Sequence, residues 1–220
     1  MKISPFVQTM DIEQWFTSIP VVTRLFLVAA LVTAVAVTFD VVQPVQLCLI
    51  RSSILDHGQW WRLITTFLFF DRLSINFMFH AHMVYMYCSK LEEHVFFNRT
   101  GEFAFFLLRG AAMLLLVAKF YSIPLLSYSF TFFVMYVWSR KFSEENLLLY
   151  GMFVVSAANL PYVLLGISLS LGGWDSAIVD IAGLAVGHVS WYLMEIVPCI
   201  TGFDPTMPPR IIRRFLFQDA

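Results

Sequence analysis

GQWWRLITTFLFF, from Gly58 to Phe70, sets two adjacent tryptophans and an arginine in a chain that is otherwise mostly apolar. It lies between two predicted membrane helices. Indole rings favour the headgroup level of a bilayer, and an arginine can place its charge there. The guanidinium also offers five donors in a fixed fork, enough to tie down a loop by bonding several carbonyls at once. An ordinary interfacial belt accounts for the same residue types. The stretch reads as a membrane–water boundary, with Trp61 and Arg62 as its candidate structural or functional residues.

Composition puts the rest of the chain in the membrane. Of the 220 residues, 59% are apolar and 13% charged, whereas a soluble domain carries about a quarter charged residues. The net charge of −1 argues against nucleic acid as a partner. The length suits one unit, read as an amphipathic N-terminal segment (1–20), a membrane domain (21–197) and a short basic tail (198–220). No uninterrupted apolar run marks a cleavable signal in the first twenty residues, so the first helix is expected to act as an uncleaved anchor. Cys48, Cys88 and Cys199 are widely spaced, and no Cys/His pattern suggests zinc. No metal or other cofactor is expected.

Six membrane helices are predicted: Val21–Phe39, Ile75–Cys88, Phe103–Tyr121, Leu125–Trp138, Asn146–Ser170 and Ser176–Val197. The connection 40–74 is too long for a passive hairpin and is predicted to fold back into the interface. The fourth helix is short for a hydrocarbon core of roughly 30 Å. With both termini cytosolic, Lys2, Arg24, Lys90, Arg99, Arg140, Lys141, Arg210, Arg213 and Arg214 fall on that side, nine against the three of Arg51, Arg62 and Arg72. The excess of positive charge favours this orientation. It leaves the sequon Asn98-Arg99-Thr100 in the cytosol, where it would stay unmodified.

Segments along the chain resemble the derlins. Gln59, Trp61, Arg62, Leu63, Ile64, Thr65 and Phe67 to Phe70 match Q-x-WRLIT-x-FLFF. DIEQWFTSIPVVTR, Asp11 to Arg24, is similar to the derlin N-terminus. Tyr85, Tyr87, Cys88, Leu91, Glu92 and Glu93 match Y-x-Y-C-x-x-LEE, Tyr136 to Arg140 reads YVWSR, and LPYVLLGISLSLGG runs from Leu160 to Gly173. Derlins are proteolytically inactive relatives of rhomboid intramembrane proteases in the endoplasmic reticulum membrane. The resemblance implies an all-α, six-transmembrane-helix rhomboid-like fold with an interfacial loop between helices one and two. It also implies a non-catalytic role in degrading misfolded proteins, with a membrane ubiquitin ligase complex and a cytosolic hexameric AAA ATPase as partners. Homo- or hetero-oligomers are compatible with it. Many derlins dock the ATPase through a Gly-rich tail ending in L-G. Here the chain ends IIRRFLFQDA, Ile211 to Ala220, a basic amphipathic segment suited to a membrane surface, so recruitment would pass through a partner.

The last predicted helix carries Gly183-x-x-x-Gly187 with His188 directly after it, as in the derlin G-x-x-x-GH pattern. The glycines would let a neighbouring backbone approach closely. Rhomboid proteases pair a serine in a G-x-S-G context with a histidine three residues before that first glycine. Here the position holds Asp180, and Ser127 and Ser129 lack both glycines. A serine nucleophile needs a base within hydrogen-bond reach, so no catalytic residue is assigned. Asp180 and His188 are about 12 Å apart along a helix and form no dyad. His188 is read as bonded to a carbonyl or hydroxyl, since unpaired polar groups are costly in lipid.

A path for client proteins is expected beside helices two and five, with His80, His82, Asn159, Pro161 and Arg109 as candidate residues. His80 and His82, two apart on a helix, point to different faces and suit no shared metal. Pro161 is expected inside helix five, as a flexible point of a lateral gate. Arg109 should face protein or a wet cavity, and the resemblance assigns it no role. Two other readings are an active intramembrane protease, which needs the missing histidine base, and a small-solute transporter. Transporters often show internal repeats, and none is visible here.

Overall fold

The computed structural model describes residues 12–149 and 153–202. The basic segment beyond 202 and the first eleven residues, to which parts of the sequence reading apply, lie outside the described residues. A short helix α1 (Ile12–Ser18) lays Trp15 and Phe16 at the surface, with Trp15 beside Tyr85 at 5.9 Å between ring centroids. Pro20 stands immediately before α2 (Val21–Thr38), and its fixed φ suits a helix start. The first amides of a helix have no internal acceptor and carry positive partial charge. Here buried Glu92 takes them: its carboxylate accepts from the amides of Val22 and Thr23, both at 3.0 Å, and from Thr23 Oγ1 at 2.8 Å.

The connection after α2 folds into three short helices, α3 (Pro44–Leu47), α4 (Arg51–Leu55) and α5 (Arg62–Leu68). Helix α6 (Ile75–Lys90) opens on Ser74, whose hydroxyl accepts the Phe77 amide at 3.2 Å. A π-helical turn, Leu91–Val95, leads towards α7 (Thr100–Phe120). Helix α8 (Ser127–Lys141) is the centre of the molecule. Phe133, Val137 and Trp138 on it are fully buried, and α6, α7 and α9 all pack against it.

The segment predicted as the start of a fifth helix is a β-hairpin. Strands β1 (Asn146–Leu149) and β2 (Phe153–Ser156) pair antiparallel, with Asn146 opposite Ser156. A short apolar run fits either a strand or a buried helix, and the β-branched Val154 and Val155 favour the strand. The helix begins only at α9 (Leu160–Trp191), after one 3₁₀ turn, Ala157–Asn159. Pro161 therefore sits in the first turn, where its missing N–H leaves nothing unpaired, and does not interrupt the helix.

The break falls at Gly173, with φ 70° and ψ −166°, a conformation essentially reserved for glycine. It turns α9 into two arms, 160–172 and 174–191. Arg140 at the end of α8 bonds the Tyr162 hydroxyl of the first arm at 2.7 Å and lies 5.9 Å from the Trp191 ring of the second. The arms thus run antiparallel. A π-helical turn (Tyr192–Ile196) and α10 (Val197–Thr201) follow.

The helices alternate in direction along α2, α6, α7, α8 and the two arms of α9. Ion pairs Lys90–Glu145 and Lys141–Glu195 and the Glu92 cap lie on one face of the bundle. Arg72–Asp40 and the bond from Ser127 Oγ to Phe69 O, at 2.6 Å, lie on the other. This is an all-α membrane architecture. Among the described residues, α2, α7 and the helical stretch Ala157–Thr201 are long and apolar enough to cross a membrane. Helices α6 and α8, with 16 and 15 residues, rise only about 24 and 22 Å.

Candidate functional site

Arg62 opens α5 and is buried to 5% exposure. Its Nη1 donates to the carbonyls of Val45, at 2.6 Å, and Cys48, at 2.8 Å. Its Nε donates to Gln59 Oε1 at 2.6 Å. One guanidinium therefore closes the start and end of α3 onto the start of α5, using its fixed fork. The neighbouring Trp60 and Trp61 stay exposed, as an interfacial belt requires.

Gly183 and Gly187 press the second arm of α9 onto α8. A Cβ on Gly183 would stand 2.2 Å from the Ser129 carbonyl oxygen, and one on Gly187 2.7 Å from Tyr136 Cβ. At that contact Ser129 Oγ donates to Val179 O at 2.6 Å. Ser127 and Ser129 are thus both engaged with backbone carbonyls, and both are fully buried. His188 turns away from them and pairs through Nδ1 with the Tyr136 hydroxyl at 2.7 Å. Arg140 Nε bonds the same hydroxyl at 3.1 Å.

Between α6, α8 and the two arms of α9 lies a cavity of about 440 Å³. Helix α6 contributes Asn76, Phe79, His80 and Met83. Thr131 and Met135 come from α8, and Ser168, Ser176 and Asp180 from α9. His80 stacks on Phe70 at 5.8 Å and meets Tyr128 edge-on at 4.4 Å. Beside Asn76, Asp71 Oδ2 accepts from Ser74 Oγ at 2.9 Å and Asn76 Nδ2 at 3.3 Å, and the Tyr128 hydroxyl donates to Phe70 O at 2.9 Å. Burial pushes the proton affinity of Asp71 up. The bonds from Ser74, the Arg72 amide and Asn76 together outweigh it and hold the carboxyl below its ordinary value.

Of the five residues expected along a client path, the cavity lining includes His80 alone. His82 is exposed on α6, beside Tyr85. Asn159 and Pro161 lie at the start of α9, exposed and buried respectively. Arg109 is half-buried on α7. Asp180 and Ser168 do line the cavity. Sequence reasoning missed Ser168 and the cap formed by Glu92. A glutamate next to Lys90 and Glu93 reads as part of a solvated loop, and only the π-helical turn points it inward.

The Der1-like family model matches residues 19–206, which include α2 to α10. Derlin-2.2 of Arabidopsis thaliana is 36% identical to this chain, over 94% of it and 88% of the relative. Derlin-2.1 of Zea mays is 36% identical, over 94% and 87%. A probable derlin-2 homolog of Dictyostelium discoideum is 30% identical, over 93% and 82%. A family match across the whole described membrane bundle, and identity of this extent over most of both chains, lead to one conclusion: the chain belongs to the Der1-like family.

Proposed function

We propose that this protein is a non-catalytic component of endoplasmic-reticulum-associated degradation, helping misfolded proteins move across or out of the membrane. Family membership supports the general role. The observation that carries the mechanism is the largely apolar cavity between α6, α8 and α9, lined by a few polar groups including Asn76, Ser168 and Asp180. A misfolded segment entering it from the lipid finds partners for polar groups that hydrocarbon cannot satisfy. Six helical stretches cross the endoplasmic reticulum membrane, with both termini cytosolic. The short α6 and α8, together with the interfacial segment 40–74, thin the bilayer beside the cavity. A membrane ubiquitin ligase complex receives the client, and a cytosolic AAA ATPase extracts it.

The test fills the cavity. Ile167, half-buried on its wall, is replaced by Trp, and turnover of a misfolded membrane client is followed in cells lacking the wild-type protein. The client should persist severalfold longer while the variant accumulates to the normal level. Wild-type turnover would sink the mechanism. For the non-catalytic part, Ser127 and Ser129 both donate to carbonyls. A mechanism-based serine hydrolase probe should label neither, and labelling of either would restore the protease reading.

A further inference from the structure

We infer that Asp180 makes the cavity selective for membrane segments carrying a buried ammonium or guanidinium group. The inference rests on the client reading of the cavity and narrows its substrate class. Asp180 is 5% exposed and lines the cavity. Among the described residues Ser168 hydrogen-bonds its carboxyl, and none of the ion pairs formed there includes it. A carboxyl held in an apolar surround either keeps a proton or needs a cation. His80, on the same cavity, has a buried Nδ1 with no hydrogen-bond partner among those residues. The cavity therefore presents an acid to whatever enters, while that buried nitrogen stays shielded from it.

The depth of the site decides between sources of the cation. Asp180 lies seven residues past the turn at Gly173, about 10 Å along the helix. A lipid amine resides at the headgroup level, outside that depth. A lysine or arginine in the middle of a stranded membrane segment sits within the apolar layer and has a long stem to deliver its charge. Phe79, 54% exposed at the cavity edge, marks the side from which such a segment arrives.

The experiment uses the full chain in phosphatidylcholine nanodiscs, with a photo-crosslinking phenylalanine analogue in place of Phe79. Three synthetic apolar single-span segments are offered, identical except for a central Lys, Leu or Glu. The Lys segment should cross-link about tenfold more than the Leu segment, the order expected of one charge-assisted hydrogen bond. Asp180→Asn should reduce it to the Leu level and leave the Leu segment unchanged. Asp180→Glu should keep the preference, which guards against a mere folding defect. Equal capture of Lys and Leu segments overturns the selectivity while leaving the client cavity standing. Capture of no segment at all overturns both. Loss of the Lys preference on adding phosphatidylethanolamine would assign the acid to a lipid amine and overturn the inference.

Discussion

At the scale of single residues, two side chains do most of the joining. Glu92 satisfies the start of α2 from the π-helical turn after α6, and Arg62 closes the interfacial segment onto itself. Arg62→Lys keeps the charge but loses the fork, since an ammonium is a point charge that cannot reproduce the same planar set of bonds. Arg62→Ala leaves the Val45 and Cys48 carbonyls to find other donors, each loss costing about 1–3 kcal/mol. Thermal unfolding in mild detergent should rank wild type above Lys and Lys above Ala. An Ala variant as stable as wild type would mean that the segment holds its shape without the clamp. The role of Arg62 was legible because an arginine beside two tryptophans at a predicted boundary has few other uses. Glu92 was not, because its burial depends on a π-helical turn that no local pattern announces.

At the scale of elements, the contact between α8 and the second arm of α9 sets the bundle. Gly183→Ala drives a methyl onto the Ser129 carbonyl oxygen, which is backbone and cannot swing aside. Forcing such a core outward costs about 1–3 kcal/mol. Gly166, on the first arm, meets nothing within 4 Å, so Gly166→Ala should be neutral or stabilise by about 0.5–1 kcal/mol through helix propensity. Melting temperatures of the two variants should therefore move apart, and a matched loss in both would mean that glycine flexibility, not contact, is at stake. The G-x-x-x-G spacing made this contact readable. The turn at Gly173 was readable too, since it falls in the gap between the predicted fifth helix, ending at Ser170, and the sixth, starting at Ser176. The strand pair β1–β2 was not readable, because an apolar run there fits a strand or a helix equally and hydropathy alone does not separate them. Pro161 misled for the same reason, as a proline marks a break only once the helix start is known. A polar cavity was expected beside helices two and five; the cavity described here lies between α6, α8 and the two arms of α9. Its lining was not legible, because that depends on the rotation of each helix about its own axis.

At the scale of the whole molecule, everything depends on which face of the bundle is cytosolic. The face that holds Glu92, Lys90–Glu145 and Lys141–Glu195 also carries Arg99 and Arg140, next to the stretch that includes Asn98. Asn98 itself sits at φ 56°, a left-handed turn conformation that asparagine tolerates. In the proposed orientation the excess of positive charge faces the cytosol, and the sequon at Asn98 would meet no glycosyl transferase there. Cys199, exposed on α10, lies on the same face. After detergent solubilisation of microsomes, glycosidase treatment should leave the mass of the protein unchanged. In sealed microsomes, with the cytosolic side outward, a membrane-impermeant maleimide should label Cys199 without permeabilisation. Cys88 is fully buried and should stay unlabelled while the protein is folded, which makes it an internal control. A glycosidase-sensitive mass, or labelling of Cys199 only after the vesicles are opened, would turn the bundle over. The Arg62 segment would then face the cytosol, and the face rich in positive charge would face the lumen, against the proposed orientation.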